Sequence, residues 1–394
     1  MRKSAFSGIT RNVFVLGVVS LFTDLSSQMV FPLIPLFLVS VLGTGASAVG
    51  IVEGAAETTA SFIKVVSGYW SDKLQRRKPF ILFGYSLSAV TKPLFALANI
   101  WGLVLFIRVI ERIGKGLRTA PRDALVAESC DECFKGKAFG FHRAMDGIGS
   151  ILGALLAFAL LPALGYRNIF LFAAVPGLIA VMVIHFVREK PKAKPVEANQ
   201  SRPSLSLKAL PANLRLLILI CSIFALGHFG YAFLLLKALD VGLADNSAIL
   251  LYVLFYTIYT ICAMPLGTLS DRVGRKPILI GGYLLFTVIS LGLAISTSVS
   301  MVALWFGVYG IAFAAIDGTQ RAFVADLAPE HLRATALGTF HAAIGLTALP
   351  GGFIAGFLWD RISPEATFIF GFCLALFATL MFVFVNDRRQ NRLN

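Results

Sequence analysis

Long apolar segments alternate with short polar ones along the whole of this 394-residue chain. A helix needs roughly 20 mostly apolar residues to cross a bilayer, so each such segment predicts a transmembrane helix. In the first half the predicted helices span 13–39, 49–70, 80–98, 101–124, 138–162 and 167–187. In the second half they span 214–238, 247–268, 278–297, 300–325, 334–358 and 366–385. The pattern therefore predicts an all-α polytopic membrane protein with twelve transmembrane helices.

A basic stretch with several prolines, residues 188–212, separates the two sets of six. Its composition is typical of a soluble connector. It predicts an N-terminal six-helix bundle at 1–187, a cytoplasmic linker and a C-terminal six-helix bundle at 213–394.

A short motif occurs at the same place in each half, between the second and third apolar segments. The first copy, from Gly68, reads G-Y-W-S-D-K-L-Q-R-R-K-P, and the second, from Gly267, reads G-T-L-S-D-R-V-G-R-K-P. Their aspartates, Asp72 and Asp271, lie 199 positions apart, about half the chain. A fixed internal period indicates a repeated unit, so we expect the two bundles to be pseudo-symmetric.

Composition and charge agree with a membrane protein. Hydrophobic residues make up 57% of the chain and charged residues 14%, outside the usual balance of soluble proteins. The net charge of +14 comes from lysines and arginines concentrated in alternate loops. Since cytoplasmic loops retain positive charge, we expect both termini in the cytoplasm and the chain in the plasma (inner) membrane. Membrane lipid accounts for this basic character without a nucleic-acid partner.

The two G-x-x-x-D-R-x-G-R-K-type loops resemble the signature loop of the major facilitator superfamily. With twelve spans, a central basic linker and a half-chain repeat, the resemblance covers essentially the whole sequence. It implies a secondary transporter whose two bundles rock around a central cavity and expose it alternately to each side. It also implies a monomer, without a cofactor, that moves a small solute.

The resemblance assigns a cytoplasmic gate to the two loops. In the family, the loop aspartate and basic residues form a latch with an acidic group at the end of the fourth helix of each half. The matching positions are Asp72, Arg76, Arg77, Glu128, Asp271, Arg272, Arg275 and Asp326. The first copy departs from the pattern, with Lys73 and Gln75 in place of Arg and Gly and one extra residue. The alternative is a solvated cluster of positive charge without a gating role.

Charged residues near the middle of the bilayer are costly and mark functional sites. Helical spacing places several at mid-depth in the first half: Asp24, Gln28, Glu57, Lys92, Arg108, Glu111, Arg112 and Asp146. Arg112, followed four residues later by Gly116, also resembles the superfamily's fourth-helix motif, which is linked to proton transfer. The alternative is that these charges form internal salt bridges that only lock the helices together.

Basic groups outnumber acidic ones among the membrane charges of the first half, which predicts an anionic substrate. Arginine forks suit carboxylates, so we expect proton-coupled transport of a small organic anion, such as a carboxylate or a siderophore-like polycarboxylate. The candidate substrate-binding residues are Lys92, Arg108, Arg112, Gln28, Tyr231 and Tyr256. The candidate proton-coupling residues are Asp24, Glu57 and Asp146. In the second half, Asp317 and Arg321 are spaced as a structural ion pair.

Three other functions compete with anion transport. Asp24 and Glu57 could instead bind an organic cation in a drug efflux pump, although the fifth predicted helix lacks the proline of the antiporter motif. A sensor with this fold that transports nothing is a second alternative. An enzyme is disfavoured because His142 and Asp146 have no third ligand or nucleophile at a diagnostic spacing.

Cys130 and Cys133 lack the further ligands of a zinc site, so no metal is expected.

Overall fold

The computed structural model describes residues 9–130, 134–189, 210–329 and 332–385. Cys133 and most of the 188–212 linker lie outside these residues. Within them all regular structure is helical, which confirms the predicted all-α polytopic fold. Nine helical runs in this part of the chain are long and apolar enough to cross a membrane.

Helices of the first half cover all six predicted segments. They are α1 (Arg11–Gln28), α2 (Leu33–Leu36) with a π-helical turn at Phe37–Val41, α3 (Ala46–Leu74), α4 (Lys78–Leu94), α5 (Trp101–Glu128), α6 (Lys135–Phe172) and α7 (Ala174–Ile184). Two of these, α3 and α5, are not among the nine apolar runs because they carry more polar residues. The charged side chains of interest lie mainly on those two helices and on α1, α4 and α6.

The second half repeats the pattern. Its helices are α8 (Ala212–Gly227), α9 (Gly230–Asp240), α10 (Asp245–Val273), α11 (Arg275–Ile295), α12 (Val299–Leu327), α13 (Arg333–Arg361) and α14 (Pro364–Met381). They cover the other six predicted segments.

Breaks in the helices occur where the sequence weakens them. Within α6, Gly165 has φ 69° and ψ 171°, a non-helical conformation that separates the fifth and sixth predicted segments. Pro162, one turn earlier, adds to this weakness. Gly230, with φ 64°, is the first residue of α9 and follows the break after α8.

Contacts divide the described chain into two compact units. The first lies within 1–34 and 59–200, and the second within 35–58 and 201–394. The first half of α3 therefore belongs to the second unit. The boundaries predicted from the sequence, 1–187, 188–212 and 213–394, stay a prediction.

Small residues bring the helices of the first unit close together. A Cβ at Gly149 or Gly153 of α6 would collide with the backbone of Leu21 or Leu25 of α1. Gly84 of α4 and Gly114 of α5 face each other in the same way. Close approach through glycine is typical of membrane helix pairs. It fixes α5, which carries the buried arginines, directly against α4.

In the second unit, α13 packs against the first half of α3. Backbone atoms of Gly50 and Gly352 lie so close that neither position has room for a Cβ. At the end of α13, the Asp360 carboxylate accepts hydrogen bonds from the backbone N–H groups of Ala46 and Ser47, both at 2.8 Å. A carboxylate at these unpaired N–H groups caps α3.

Candidate functional site

Two arginines one turn apart on α5 are buried in the first unit. Arg108 is 0% exposed and Arg112 is 5% exposed. Both guanidinium groups lie over the ring of Phe31, with Cζ at 4.0 and 4.7 Å from the ring centroid. Phe31 lies in the turn between α1 and α2. A cation over an aromatic face is attracted by the ring quadrupole, so Phe31 holds both arginines in position.

Glu111 lies between these arginines in the sequence, and its carboxylate forms ion pairs with both of them. Its Oε2 lies 3.5 Å from Nη1 of Arg108 and 3.5 Å from Nε of Arg112. Glu111 is itself 0% exposed. Among the described residues, Oε1 of Glu111 and Nε and Nη1 of Arg112 have no hydrogen-bond partner. Buried polar groups without partners are costly, and these donors of Arg112 have no acceptor at hydrogen-bond geometry among the described residues.

Two further buried cations, Lys92 and Arg118, are bound within the protein. The Lys92 ammonium donates to the Ser26 hydroxyl at 2.8 Å. Nη1 of Arg118 donates to the Ser88 hydroxyl at 2.5 Å, and its guanidinium lies 4.5 Å from the centroid of Tyr85. Lys92 therefore joins α4 to α1, and Arg118 joins α5 to α4.

The buried charges of the first unit's membrane helices are unbalanced. Lys92, Arg108, Arg112 and Arg118 are buried cations, whereas Glu111 is the one buried carboxylate among the described residues. The surplus of positive charge predicted from the sequence is thus present in the interior of this unit.

The candidate proton-coupling residues have different surroundings. Asp146 accepts a hydrogen bond from Ser20, and His142 Nδ1 lies 3.5 Å away. Asp24 is half-buried and makes no hydrogen bond or ion pair with another described residue. Glu57 belongs to the second unit and is exposed. Asp24 and Asp146 thus belong to the first unit and Glu57 to the second.

Tyr231 and Tyr256 belong to an aromatic cluster in the second unit. The Tyr231 hydroxyl donates to Glu53 Oε2 at 3.3 Å. Tyr252 joins the two tyrosines, with ring centroids 5.1 Å from Tyr231 and 5.9 Å from Tyr256. Because both tyrosines are half-buried, part of each ring is accessible.

The polar residues His228, Asp317 and Arg321 are bound within the same unit. The Tyr309 hydroxyl lies 2.9 Å from Nε2 of His228. Arg321 and Asp317 form the predicted ion pair at 2.5 Å. Each of these residues therefore has a protein partner.

Each half begins with an interrupted helix, and a polar residue lies at the interruption. Gln28 is the last residue of α1 and is buried. His228 is the C-cap of α8, with φ −82° and ψ 99°. Interrupted helices in transporters are frequent at binding sites because their free backbone groups line a cavity.

Arg77 is the centre of the first signature loop. Its guanidinium lies 2.5 Å from Asp72 and 3.3 Å from Glu128, and it donates to the Ser71 hydroxyl at 2.8 Å. The backbone N–H of Arg77 also donates to Glu189. One side chain therefore joins the end of α3 to the end of α5.

The second signature loop repeats this arrangement around Arg275. Its guanidinium lies 2.5 Å from Asp271 and 3.2 Å from Asp326, and it donates to the Ser270 hydroxyl at 2.6 Å. Lys276 donates to the Val385 carbonyl at 2.7 Å. The two copies of the motif therefore share their side-chain contacts as well as their sequence.

The extra residue of the first copy is absorbed in the turn. Gln75 aligns with Gly274 and adopts φ 52°, and Gly274 has φ 99°. The Gln75 side chain donates to the Asp72 carbonyl at 2.7 Å. Both copies of the motif therefore have a residue with positive φ at this position of the turn. In the first copy the residue that reaches Asp72 is Arg77 rather than Arg76.

Arg76 and Arg272 differ from the other predicted gate residues. Both are exposed, and neither forms an ion pair with a described residue. Among the described residues, Arg76 and Arg272 therefore make none of the ion pairs predicted for the latch. The serine before each aspartate, by contrast, was missed by the sequence analysis although it recurs in both copies. Phe31 was also missed, because nothing in the sequence separates it from the apolar residues around it.

Comparison with known proteins identifies the family. The family model described as Major Facilitator Superfamily matches residues 16–237 and 215–394. An uncharacterized MFS-type transporter of Methanocaldococcus jannaschii is 41% identical over 96% of this chain and 95% of its own length. The quinolone resistance protein NorA of Staphylococcus aureus is 26% identical over 201 residues, which is 51% of each chain.

Solved structures show the same fold. A crystal structure of the nucleoside transporter NupG superimposes with a TM-score of 0.80 over 96% of this chain and all of that one, at 16% identity. From the matched family model, the full-length relative and the shared fold, we conclude that this multi-pass membrane protein belongs to the major facilitator superfamily of transporters.

Proposed function

We propose that the protein is a secondary active transporter that moves a small organic anion by alternating access, coupled to protons, across the plasma membrane. The observation that carries this proposal is the buried pair Arg108 and Arg112, which shares a single carboxylate. The substrate class is a carboxylate or a siderophore-like polycarboxylate.

Charge balance favours an anion as the substrate. Among the described residues of this unit's membrane helices, four buried cations with one buried carboxylate are a costly arrangement in a membrane interior. A substrate carboxylate would supply the missing negative charge and accept from Nε and Nη1 of Arg112, which make no hydrogen bond with the described residues. A planar guanidinium binds a carboxylate through two parallel hydrogen bonds. Lys92 and Gln28 are further binding candidates in this unit, and Tyr231 and Tyr256 are those of the second unit.

Coupling to protons requires a carboxyl group that changes its protonation during the cycle. Asp24 is the strongest of the three candidates because it makes no hydrogen bond or ion pair with another described residue, whereas Asp146 is held by Ser20 and His142. Glu57 remains a candidate in the second unit.

We assign the cytoplasmic gate to the two loop latches, centred on Arg77 and Arg275, which form and break with the transport cycle.

Efflux of drugs or organic cations is the second candidate function. It is favoured by the similarity of half of the chain to NorA, a quinolone resistance protein. Asp24, half-buried and without a hydrogen bond or ion pair to another described residue, would then bind the cation. Efflux leaves the surplus of buried positive charge among the described residues of this unit uncompensated, so we prefer the anion.

Ligand-induced thermal stabilisation of the purified protein tests the two functions against each other. Ligands that bind the native state raise its apparent stability by mass action. The test ligands are lactate, benzoate, succinate and citrate as anions, and ethidium and tetraphenylphosphonium as cations. The variants are Arg112→Gln and, as a matched control, Arg118→Gln, which removes a buried arginine of the same helix that has protein partners.

We expect at least one carboxylate to stabilise the unaltered protein and the Arg118→Gln variant. In the Arg112→Gln variant its affinity should fall by at least about tenfold, because a charge-assisted hydrogen bond is lost. Stabilisation by the two cations alone would contradict anion transport and support efflux.

A further inference from the structure

Glu111 occupies the position that a substrate carboxylate would need. Its Oε2 faces both Arg108 and Arg112 at 3.5 Å, and all three side chains are buried. At this distance the contacts are ion pairs rather than short charge-assisted hydrogen bonds, which are about 2.7–2.9 Å long. The arginine pair therefore has an internal carboxylate that it holds loosely.

The other oxygen of this carboxylate has no role in the structure. Oε1 of Glu111 is buried and has no hydrogen-bond donor among the described residues. A structural salt bridge would satisfy both oxygens, because a buried and unsatisfied carboxylate oxygen is costly. A neutral carboxylic acid would tolerate this apolar side better than a carboxylate does.

We propose that Glu111 is an internal substitute for the substrate carboxylate and that it takes up a proton when the substrate binds. The inference rests on the proposed function, and it adds to Asp24, Glu57 and Asp146 a carboxyl group inside the binding site. Substrate and Glu111 compete for the same two guanidinium groups. Proton and anion therefore bind together, which is the requirement for symport.

The step conserves charge and atoms. A proton from water adds to the Glu111 carboxylate and gives a neutral acid, whose attraction to the two arginines is lost. The substrate carboxylate then accepts their hydrogen bonds. Binding of a monocarboxylate together with one proton adds no net charge to the site, so no charge remains uncompensated in the membrane.

Surrounding charges determine when Glu111 can be neutralised. On its own helix it faces Arg108, Arg112 and Arg118, and from α4 it faces Lys92. Of the charged groups on α1 and α6, Asp24 interacts electrostatically with Asp146, Arg118, Arg122, Lys115 and Lys92, and Asp146 pairs with His142. In the empty site these cations keep Glu111 as a carboxylate. An incoming anion cancels part of their charge, and that change favours protonation of Glu111.

The test measures proton uptake during binding. Purified full-length protein in a weakly buffered detergent solution is mixed with lactate, benzoate, succinate or citrate, and a pH indicator reports the protons taken up. Binding affinity is measured in parallel between about pH 5.5 and about pH 8, where one linked proton changes the affinity by up to about tenfold per pH unit. The variants are Glu111→Gln, Glu111→Asp and, as a control, Asp123→Asn, which removes a carboxylate of the same helix that lies 2.9 Å from Arg122.

We expect the unaltered protein and Asp123→Asn to take up a proton on binding, with affinity that falls as the pH rises. Glu111→Gln, which imitates the neutral acid, should bind the same carboxylate without proton uptake and with pH-independent affinity. Glu111→Asp keeps a titratable group and should retain the uptake. It also serves as the check that the site tolerates a change at this position.

Two results separate the inference from the proposed function. Binding by Glu111→Gln with undiminished proton uptake overturns the inference alone. Failure of all four carboxylates to bind the unaltered protein contradicts the proposed function, and the inference with it.

Discussion

Arg76 and Arg77 are neighbours of the same residue type with opposite surroundings. Arg76 is exposed, whereas the side chain of Arg77 is 8% exposed and contacts Ser71, Asp72 and Glu128. The sequence predicted the acidic partners through the motif. It could not choose between the two arginines, because the choice depends on the left-handed conformation of Gln75.

Replacing each arginine by glutamine measures this difference. We expect Arg77→Gln to lower the free energy of unfolding by about 1–3 kcal/mol, since this buried side chain loses its charged contacts with Asp72, Glu128 and the buried Ser71 hydroxyl. Arg76→Gln should change it by less than about 0.5 kcal/mol, as surface substitutions usually do. The apparent melting temperature in detergent is the measurement, and equal losses in the two variants would contradict the latch.

The turn of the second loop depends on a glycine. Gly274 has φ 99° and ψ 157°, a conformation that residues with a Cβ rarely adopt. We expect Gly274→Ala to destabilise the protein by about 1–3 kcal/mol. Gly281→Ala in α11, where a Cβ would meet nothing within 4 Å, is the control and should be neutral or slightly stabilising. Unchanged stability in the Gly274→Ala variant would show that the turn conformation is not required.

At the scale of elements, hydropathy predicted the helices well and their interruptions poorly. All twelve apolar segments lie in helices, because a chain in lipid must satisfy its backbone hydrogen bonds within the helix. The break at Gly165 fell between two predicted segments, where glycine and proline weaken the helix. The interruption after Gln28 was not predicted, because the apolar pattern continues through it into α2.

Helix packing gives a prediction at the same scale. A Cβ at Gly149 would collide with the backbone of Leu21, whereas a Cβ at Gly140 on the same helix meets nothing within 4 Å. We expect Gly149→Ala to push α6 from α1 and to cost about 1–3 kcal/mol, as overpacking does. Gly140→Ala is the matched control. Similar thermal unfolding of both variants would contradict close packing of α1 against α6.

At the scale of the whole molecule, the half-chain repeat predicted two related sets of helices and two related latches. The sequence also predicted the excess of basic residues in the first half. It could not show that Arg108, Glu111 and Arg112 meet over Phe31, because that contact needs the turn that follows α1. The spacing of charged residues along one helix predicts that they share a face. It does not predict which other helix packs against that face.

Orientation in the membrane is testable by sided labelling. Single cysteines at Ala244, in the loop between α9 and α10, and at Arg76 are introduced after replacing the five native cysteines. Because positive charge stays in the cytoplasm, we expect a membrane-impermeant maleimide to label Ala244→Cys in intact cells. Arg76→Cys should react only after the cells are opened. The reverse pattern would contradict cytoplasmic termini.

Transport in proteoliposomes tests the central claim most directly. Radiolabelled lactate, benzoate, succinate and citrate are supplied outside vesicles whose lumen is more alkaline than the medium, with the unaltered protein, Arg112→Gln or Arg118→Gln in the membrane. We predict that at least one carboxylate accumulates, that accumulation stops when the pH gradient is collapsed, and that Arg112→Gln abolishes it while Arg118→Gln does not. Movement of ethidium without movement of any carboxylate would contradict anion transport and identify the protein as a cation efflux pump.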